Sequence, residues 1–350
     1  MSNGIPTFSK PEGYADVSVL MKSQHASNED ITTLSRFIVT EFFRRTGISV
    51  HGCQLDESGP VATHVRATVA KWDLGDVPAA RVQKHLVTAI SIATTTFGHT
   101  HLSTQEHIAL FTLLLLCIDD LEVDSGALAE FVQRLQTGTS QLHPVLDLLV
   151  EKMRAMHSFF PPYAASAIHA GIIHFVNETV FEKHAEGMVL HPTAYPYVLY
   201  KRSKNSLGEV YSACVWDLFN FPDVMTHVQI LPYVFSDFVD YAPPPKSSVG
   251  YRETMIYLDY ANDILSFYKE ELAGEQSNFV HDRANVTGKP VRQVLLDILN
   301  EVVSAVERAR LILQGEEEKR TWEQFLAGYV AFHFLSPRYR LAELTGAEHL

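Results

Sequence analysis

Apolar residues recur at three- and four-residue spacing along almost the whole chain from position 28 onward. That is the period of helices with one face in a core. Ser27-Asn28-Glu29-Asp30 offers side-chain oxygens for a helix N-terminus, and Ile31, Leu34, Ile38, Phe42 and Phe43 follow at helical spacing. The same pattern predicts helices at about 79–98, 103–122, 125–137, 143–158, 163–185, 196–220, 223–241, 251–274, 290–314 and 318–334. Pro161-Pro162, His191-Pro192, Phe221-Pro222, Pro243-Pro244-Pro245 and Gly288-Lys289-Pro290 break the pattern at the joints. No convincing run alternates as a strand would, and no segment repeats. The chain reads as all-α: a single helical domain over residues 28–350 behind an N-terminal arm, residues 1–27, with 242–250 a loop inside the domain.

Composition narrows what such a bundle can do. At 350 residues and 46% hydrophobic, with 20 Phe and 14 Tyr, the chain can bury a large, aromatic-rich core. A net charge of −13 makes nonspecific binding to nucleic acid or anionic membrane a poor fit. An anionic ligand would need local help from a few basic side chains or from metal ions. The 3 cysteines, Cys53, Cys117 and Cys214, are far apart and form no CxxC pair, which suits a reducing compartment. The N-terminal stretch lacks the apolar core of a signal peptide. The longest strongly apolar run, Phe111 to Ile118, falls short of the roughly 20 residues of a membrane span. The expectation is a soluble, cytoplasmic protein with no membrane span and no nucleic-acid partner.

Two oxygen-rich motifs carry candidate chemistry. The apolar run leads into Asp119, Asp120 and Asp124, a carboxylate cluster at a helix C-terminus, the negative end of the helix dipole. Either the cluster is a solvated helix end before a Ser125-Gly126 turn, or a hard divalent cation compensates it. Further on, Asn262, Ser266 and Glu270 are spaced i, i+4, i+8. They lie within about 80° of one another around a helix and spread over about 12 Å of it. An ordinary polar face accounts for Glu270 but less well for Asn262 and Ser266, which are mediocre helix formers. An amide oxygen, a hydroxyl and a carboxylate together suit a hard metal, and Lys269 on the same stripe could meet an anion that the metal holds. Arg338 and Tyr339 late in the chain, and Lys201-Arg202 before Asn205-Ser206-Leu207-Gly208, are candidate phosphate donors or simply solvated basic surface.

Two such motifs about 140 residues apart in an aromatic-rich all-α chain resemble class I terpene cyclases. The segments Asn262-Asp263 to Glu270 and Gly328-Tyr329-Val330 to Leu341 are similar to those of the fungal trichodiene synthase family, and the resemblance runs from about 105 to 345. It implies the terpenoid synthase bundle around one deep cavity, and a sesquiterpene cyclase that ionises farnesyl diphosphate. It also implies Mg²⁺ as cofactor, three ions in all, and a homodimer. Asp119 would be the principal ligand of the aspartate-rich motif, with Asp120 and Asp124 beside it. Asn262, Ser266 and Glu270 would be the second ligand set, and Glu182 a glutamate near the metals. Arg202 matches the diphosphate-sensing arginine, and Lys269, Arg338 and Tyr339 match diphosphate donors. The chain departs from the family at Ser336-Pro337, where an Asp-Arg pair is common. A chain-elongating isoprenyl diphosphate synthase shares the fold but would carry a second aspartate-rich motif in place of Asn262, Ser266 and Glu270. A non-catalytic helical interaction protein would need neither metal stripe.

Overall fold

The computed structural model describes residues 28–50, 58–120, 123–185, 188–205, 207–222, 253–275 and 277–344. The expected arm at 1–27, the helix expected at 223–241, the loop at 242–250 and Cys53 lie outside the described residues. Among the described residues there are helices and no strands: α1 (Asn28–Thr46), α2 (Pro60–Val69), α3 (Ala79–Thr95), α4 (Leu102–Asp119), α5 (Ser125–Thr137), α6 (Pro144–Ala155), α7 (Pro162–His184), α8 (Tyr195–Asn205), α9 (Gly208–Cys214), α10 (Glu253–Ala273), α11 (Phe279–Thr287), α12 (Val291–Ile312) and α13 (Glu316–Leu335). Single 3₁₀ turns follow at Pro337–Tyr339 and Leu341–Glu343.

Three departures from the expected elements have local causes. α2 was not expected; its sequence, PVATHVRATV, is rich in β-branched residues and blurs the helical signal. α11 is only nine residues long and is set by its cap, where Asn278 accepts a hydrogen bond from the His281 amide. The single helix expected over 196–220 is two, because Leu207 takes a left-handed conformation (φ 56°) between α8 and α9.

α4 is the central helix, apolar on nearly every side and packed against α2, α3 and α6. By length and composition it could cross a membrane, but 72% of it is buried inside the bundle, as in the core helix of a globular domain. Its N-terminus is capped from a distance: buried Asp217 accepts hydrogen bonds from the His101 amide at 2.9 Å and the Thr104 hydroxyl at 3.2 Å. Its other end, at Asp119, opens onto the candidate site. The second key helix, α10, packs against α1, α9 and α12. Buried Glu253 at its start receives Arg308 of α12 through two hydrogen bonds of 2.6 and 2.7 Å. Two phenols tie α10 to α13: Tyr257 donates to the Leu326 carbonyl at 2.7 Å, and Tyr329 to the Leu258 carbonyl at 2.9 Å. Buried hydrogen bonds of this kind fix the rotation of α10, and with it the direction its polar stripe faces.

Candidate active site

Asp119 ends α4 with its side chain accessible, yet the protein around it raises its carboxyl to about 6 by withholding solvation. Asp120 adds to that rise, Arg338 opposes it, Glu182 adds and Lys269 opposes. Accessible and surrounded are compatible for a group that lines a recess. The neighbours that act on Asp119 come from α7 (Glu182), α10 (Lys269) and the Pro337–Tyr339 turn (Arg338), so four elements meet there.

The other two aspartates of the group have partners of their own. Asp120 turns toward α3, where Arg81 lies at 3.5 Å, His85 at 3.7 Å and Lys84 at 3.9 Å from its Oδ2. Asp124 is the N-cap of α5, its Oδ1 accepting from the Gly126 amide at 2.8 Å. The geometry thus gives Asp120 and Asp124 electrostatic and capping partners of their own, and leaves Asp119 as the carboxylate of this motif on which Glu182, Lys269 and Arg338 act.

Asn262, Ser266 and Glu270 lie on α10 with the expected one-face spacing. Ser266 is 2% exposed, and its hydroxyl has no hydrogen-bond partner among the described residues. Such an orphan costs on the order of 1–3 kcal/mol unless something fills its place. A hard cation held between Asn262 and Glu270 would do so, and all the donors are oxygens, as Mg²⁺ requires. The residues present therefore fit that group. Glu270 is held from two sides, by Lys269 at 3.3 Å on Oε1 and by the Asn278 amide at 3.1 Å on Oε2. Among the described residues no three His, Cys, Asp or Glu side chains gather closely enough to hold a metal. The α10 set takes two of its three oxygens from an amide and a hydroxyl.

Glu182, Arg202, Asn262 and Glu270 line one cleft of about 210 Å³, with Lys201, Asp263, Asn278 and Asp282 among its other walls. Lys201 bridges Glu182 and Asp282, 3.6 Å from each. Arg202 points at α10: it reaches Asp263 Oδ1 at 2.9 Å and Oδ2 at 3.2 Å, and donates to the Asp259 carbonyl at 2.6 Å. Burial alone would lower its pKa, but Asp263 and Asp259 outweigh burial and raise it.

Tyr339 is buried beside this group, and its phenol is pushed up to about 12, first by burial and then by Glu270 and Asp119, with Arg338 opposing. The Asn262 side chain also opposes that rise. Arg338 is exposed and makes no ion pair among the described residues, so its donors are available. Two turns back from Asp119 on the same face of α4, Thr112 meets the Tyr211 hydroxyl at 3.0 Å. Tyr211 stacks with Phe97 and Phe111 at 6.0 and 6.2 Å between ring centroids. Sequence reasoning missed Asn278, Tyr211 and His333. Of these only Asn278 carried a readable signal, as an N-cap before a short helical run.

The family profile of trichodiene synthase matches residues 60–349. A monoterpene synthase of Postia placenta is 33% identical over 321 residues, covering 91% of this chain and 89% of that protein. A terpene synthase of the same fungus is 35% identical over 266 residues, 75% of this chain and 72% of that protein. An (E)-beta farnesene synthase of Metarhizium brunneum is 28% identical over 260 residues, 72% of each. The crystal structure of linalool/nerolidol synthase from Streptomyces clavuligerus, in complex with 2-fluorogeranyl diphosphate, shares the fold: TM-score 0.52, 15% identity, 79% of this chain and 96% of that one. The all-α architecture, the matched profile and these relatives agree: the chain belongs to the trichodiene synthase family and is a class I terpene cyclase.

Proposed function

We propose that this cyclase takes farnesyl diphosphate, breaks its allylic C–O bond with both electrons leaving on the diphosphate, closes the cation into a ring, and ends with loss of a proton from the cyclic cation to give a hydrocarbon. What supports the reading is that Asp119 at the end of α4 and Glu270 on the α10 stripe both act on the buried Tyr339 phenol, that Lys269 and Arg338 act on Asp119, and that Asn262 and Glu270 line one cleft with Glu182 and Arg202. Mg²⁺, three ions by family resemblance, would be held by Asp119 on one side and by Asn262, Ser266 and Glu270 on the other, with Glu182 close by. When bound it supplies Lewis-acid neutralisation of the leaving group.

The chain's own residues do the rest. Lys269, Arg338 and Tyr339 donate to diphosphate oxygens, which a protein of net charge −13 cannot attract by its overall field. Arg202 ties α8 to α10 at the residue next to Asn262, so a shift of the bound diphosphate reaches it through the ligand helix. The Phe97, Tyr211 and Phe111 stack packs the core behind α4 and helps exclude water that would quench a carbocation. A homodimer and a cytoplasmic location belong to the same reading. Light scattering at micromolar concentration should give twice the 39.3 kDa of one chain.

Farnesene has the fifteen-carbon skeleton of farnesyl diphosphate, and the farnesene synthase likeness supports that substrate. The Postia placenta relative named a monoterpene synthase favours a second reading, geranyl diphosphate. Incubation with each diphosphate, with Mg²⁺ or with EDTA, followed by gas chromatography–mass spectrometry of a pentane extract, separates them. The proposal expects a cyclic fifteen-carbon product that requires Mg²⁺. A ten-carbon product alone would support the second reading, and no reaction would contradict both.

A further inference from the structure

His333 is fully buried on α13, 71 residues from Asn262 in sequence and in contact with it in space. Its ring lies between Tyr329, Phe332 and Tyr339, with centroids at 4.6, 5.0 and 4.3 Å. Nδ1 is 2.8 Å from the Tyr329 carbonyl oxygen. A carbonyl can only accept, so Nδ1 carries the proton, and in the neutral ring Nε2 is left as a bare acceptor. That acceptor stands 3.2 Å from Asn262 Nδ2. The bond fixes which end of the amide is which, because the flipped amide would set its oxygen against the Nε2 lone pair.

We propose that His333 is a positioning residue: the relay Tyr329 C=O···His333···Asn262 locks the Asn262 amide with Oδ1 turned away from α13 and presented as a cation ligand. The inference rests on the proposed metal role of Asn262 and adds to it the device that orients the ligand. An Asn side chain is nearly symmetric in shape, and without such a partner either end of it could face the cation. Partners of this kind, one shell out from the ligand, typically change metal affinity 10–100-fold when removed.

The test uses the whole chain with inorganic diphosphate as probe. The Mg²⁺ concentration giving half of the diphosphate-dependent rise in melting temperature is measured, together with the melting temperature in EDTA as a structural control. His333→Leu keeps a buried side chain of similar size without an acceptor, and should raise that Mg²⁺ concentration about 10–100-fold. Two variants of nearly equal polarity provide a second comparison that does not depend on His333→Leu folding. His333→Gln can place an amide oxygen near the Nε2 position and should stay within about 3-fold of wild type. His333→Asn is one methylene too short to reach and should behave as His333→Leu does. Equal Mg²⁺ requirements in His333→Gln and His333→Asn, or a wild-type requirement in His333→Leu, overturn the proposal while leaving the metal reading standing. A wild-type protein that shows no Mg²⁺-dependent response to diphosphate overturns both.

Discussion

The guanidinium of Arg202 satisfies a carboxylate and a backbone carbonyl at once, and no other side chain can do that with one rigid group. Arg202→Lys keeps the charge and loses the fork. The expected cost is roughly 1–3 kcal/mol of transition-state stabilisation, about 5- to 150-fold in kcat/KM, with a shifted product mixture. Steady-state kinetics with product analysis checks this, and wild-type rate and products would place the sensing role elsewhere, Lys201 being next to test. Asp119 makes a different kind of prediction. Burial raises its carboxyl from 3.8 to about 6 in the metal-free protein. A group with a raised folded pKa favours folding below its unfolded value, and that contribution is lost as pH rises through the folded one. In EDTA, the melting temperature of wild type relative to Asp119→Asn should therefore fall as pH rises from about 4 to about 7. A gap that does not change with pH would contradict the recess environment assigned to Asp119. If Asp119 holds Mg²⁺ as proposed, its carboxyl would have to lose a proton first below pH 6, so the apparent Mg²⁺ affinity should weaken there.

At the scale of elements, what could be read in the sequence was whatever one helix carries within itself. The Asn262, Ser266 and Glu270 stripe needs only the 3.6-residue period, and the structure keeps the three on one helix. The grouping of Asp119 with Asp120 and Asp124 ran into a fact outside that helix: α3 supplies Arg81, Lys84 and His85 to Asp120, while α5 needs Asp124 as its cap. His333 reads as one more residue in an apolar helix until α13 is docked on α10. The docking of α13 on α3 makes a testable demand. A Cβ at Gly328 would stand 2.1 Å from the Thr95 carbonyl oxygen and 2.8 Å from its carbon, both backbone atoms that cannot step aside. At Gly171 the first obstacle, Val210 Cγ2 at 2.7 Å, is a side chain. Alanine at either site gains up to about 1 kcal/mol of helix propensity. Gly328→Ala should nonetheless destabilise by about 1–3 kcal/mol or more, and by more than Gly171→Ala, as read from urea unfolding. Equal stability of the two variants would contradict the close approach of α3 and α13.

At the scale of the whole molecule, the proposed function has an acidic chain assemble a site for an anion from two halves of a donor set on helices far apart in sequence. α4 contributes Asp119 at the end of the most apolar of the described helices, and α10 contributes its stripe under the control of Arg308, Leu326 and Tyr329. In the proposed function both halves act on one diphosphate. The measurement that tests this most directly is diphosphate release from farnesyl diphosphate at saturating Mg²⁺ by wild type, Asp119→Asn and Glu270→Gln. Each variant should lose about 10²-fold or more in kcat while melting within a few degrees of wild type in EDTA at neutral pH. A wild-type rate in either variant would contradict a shared site.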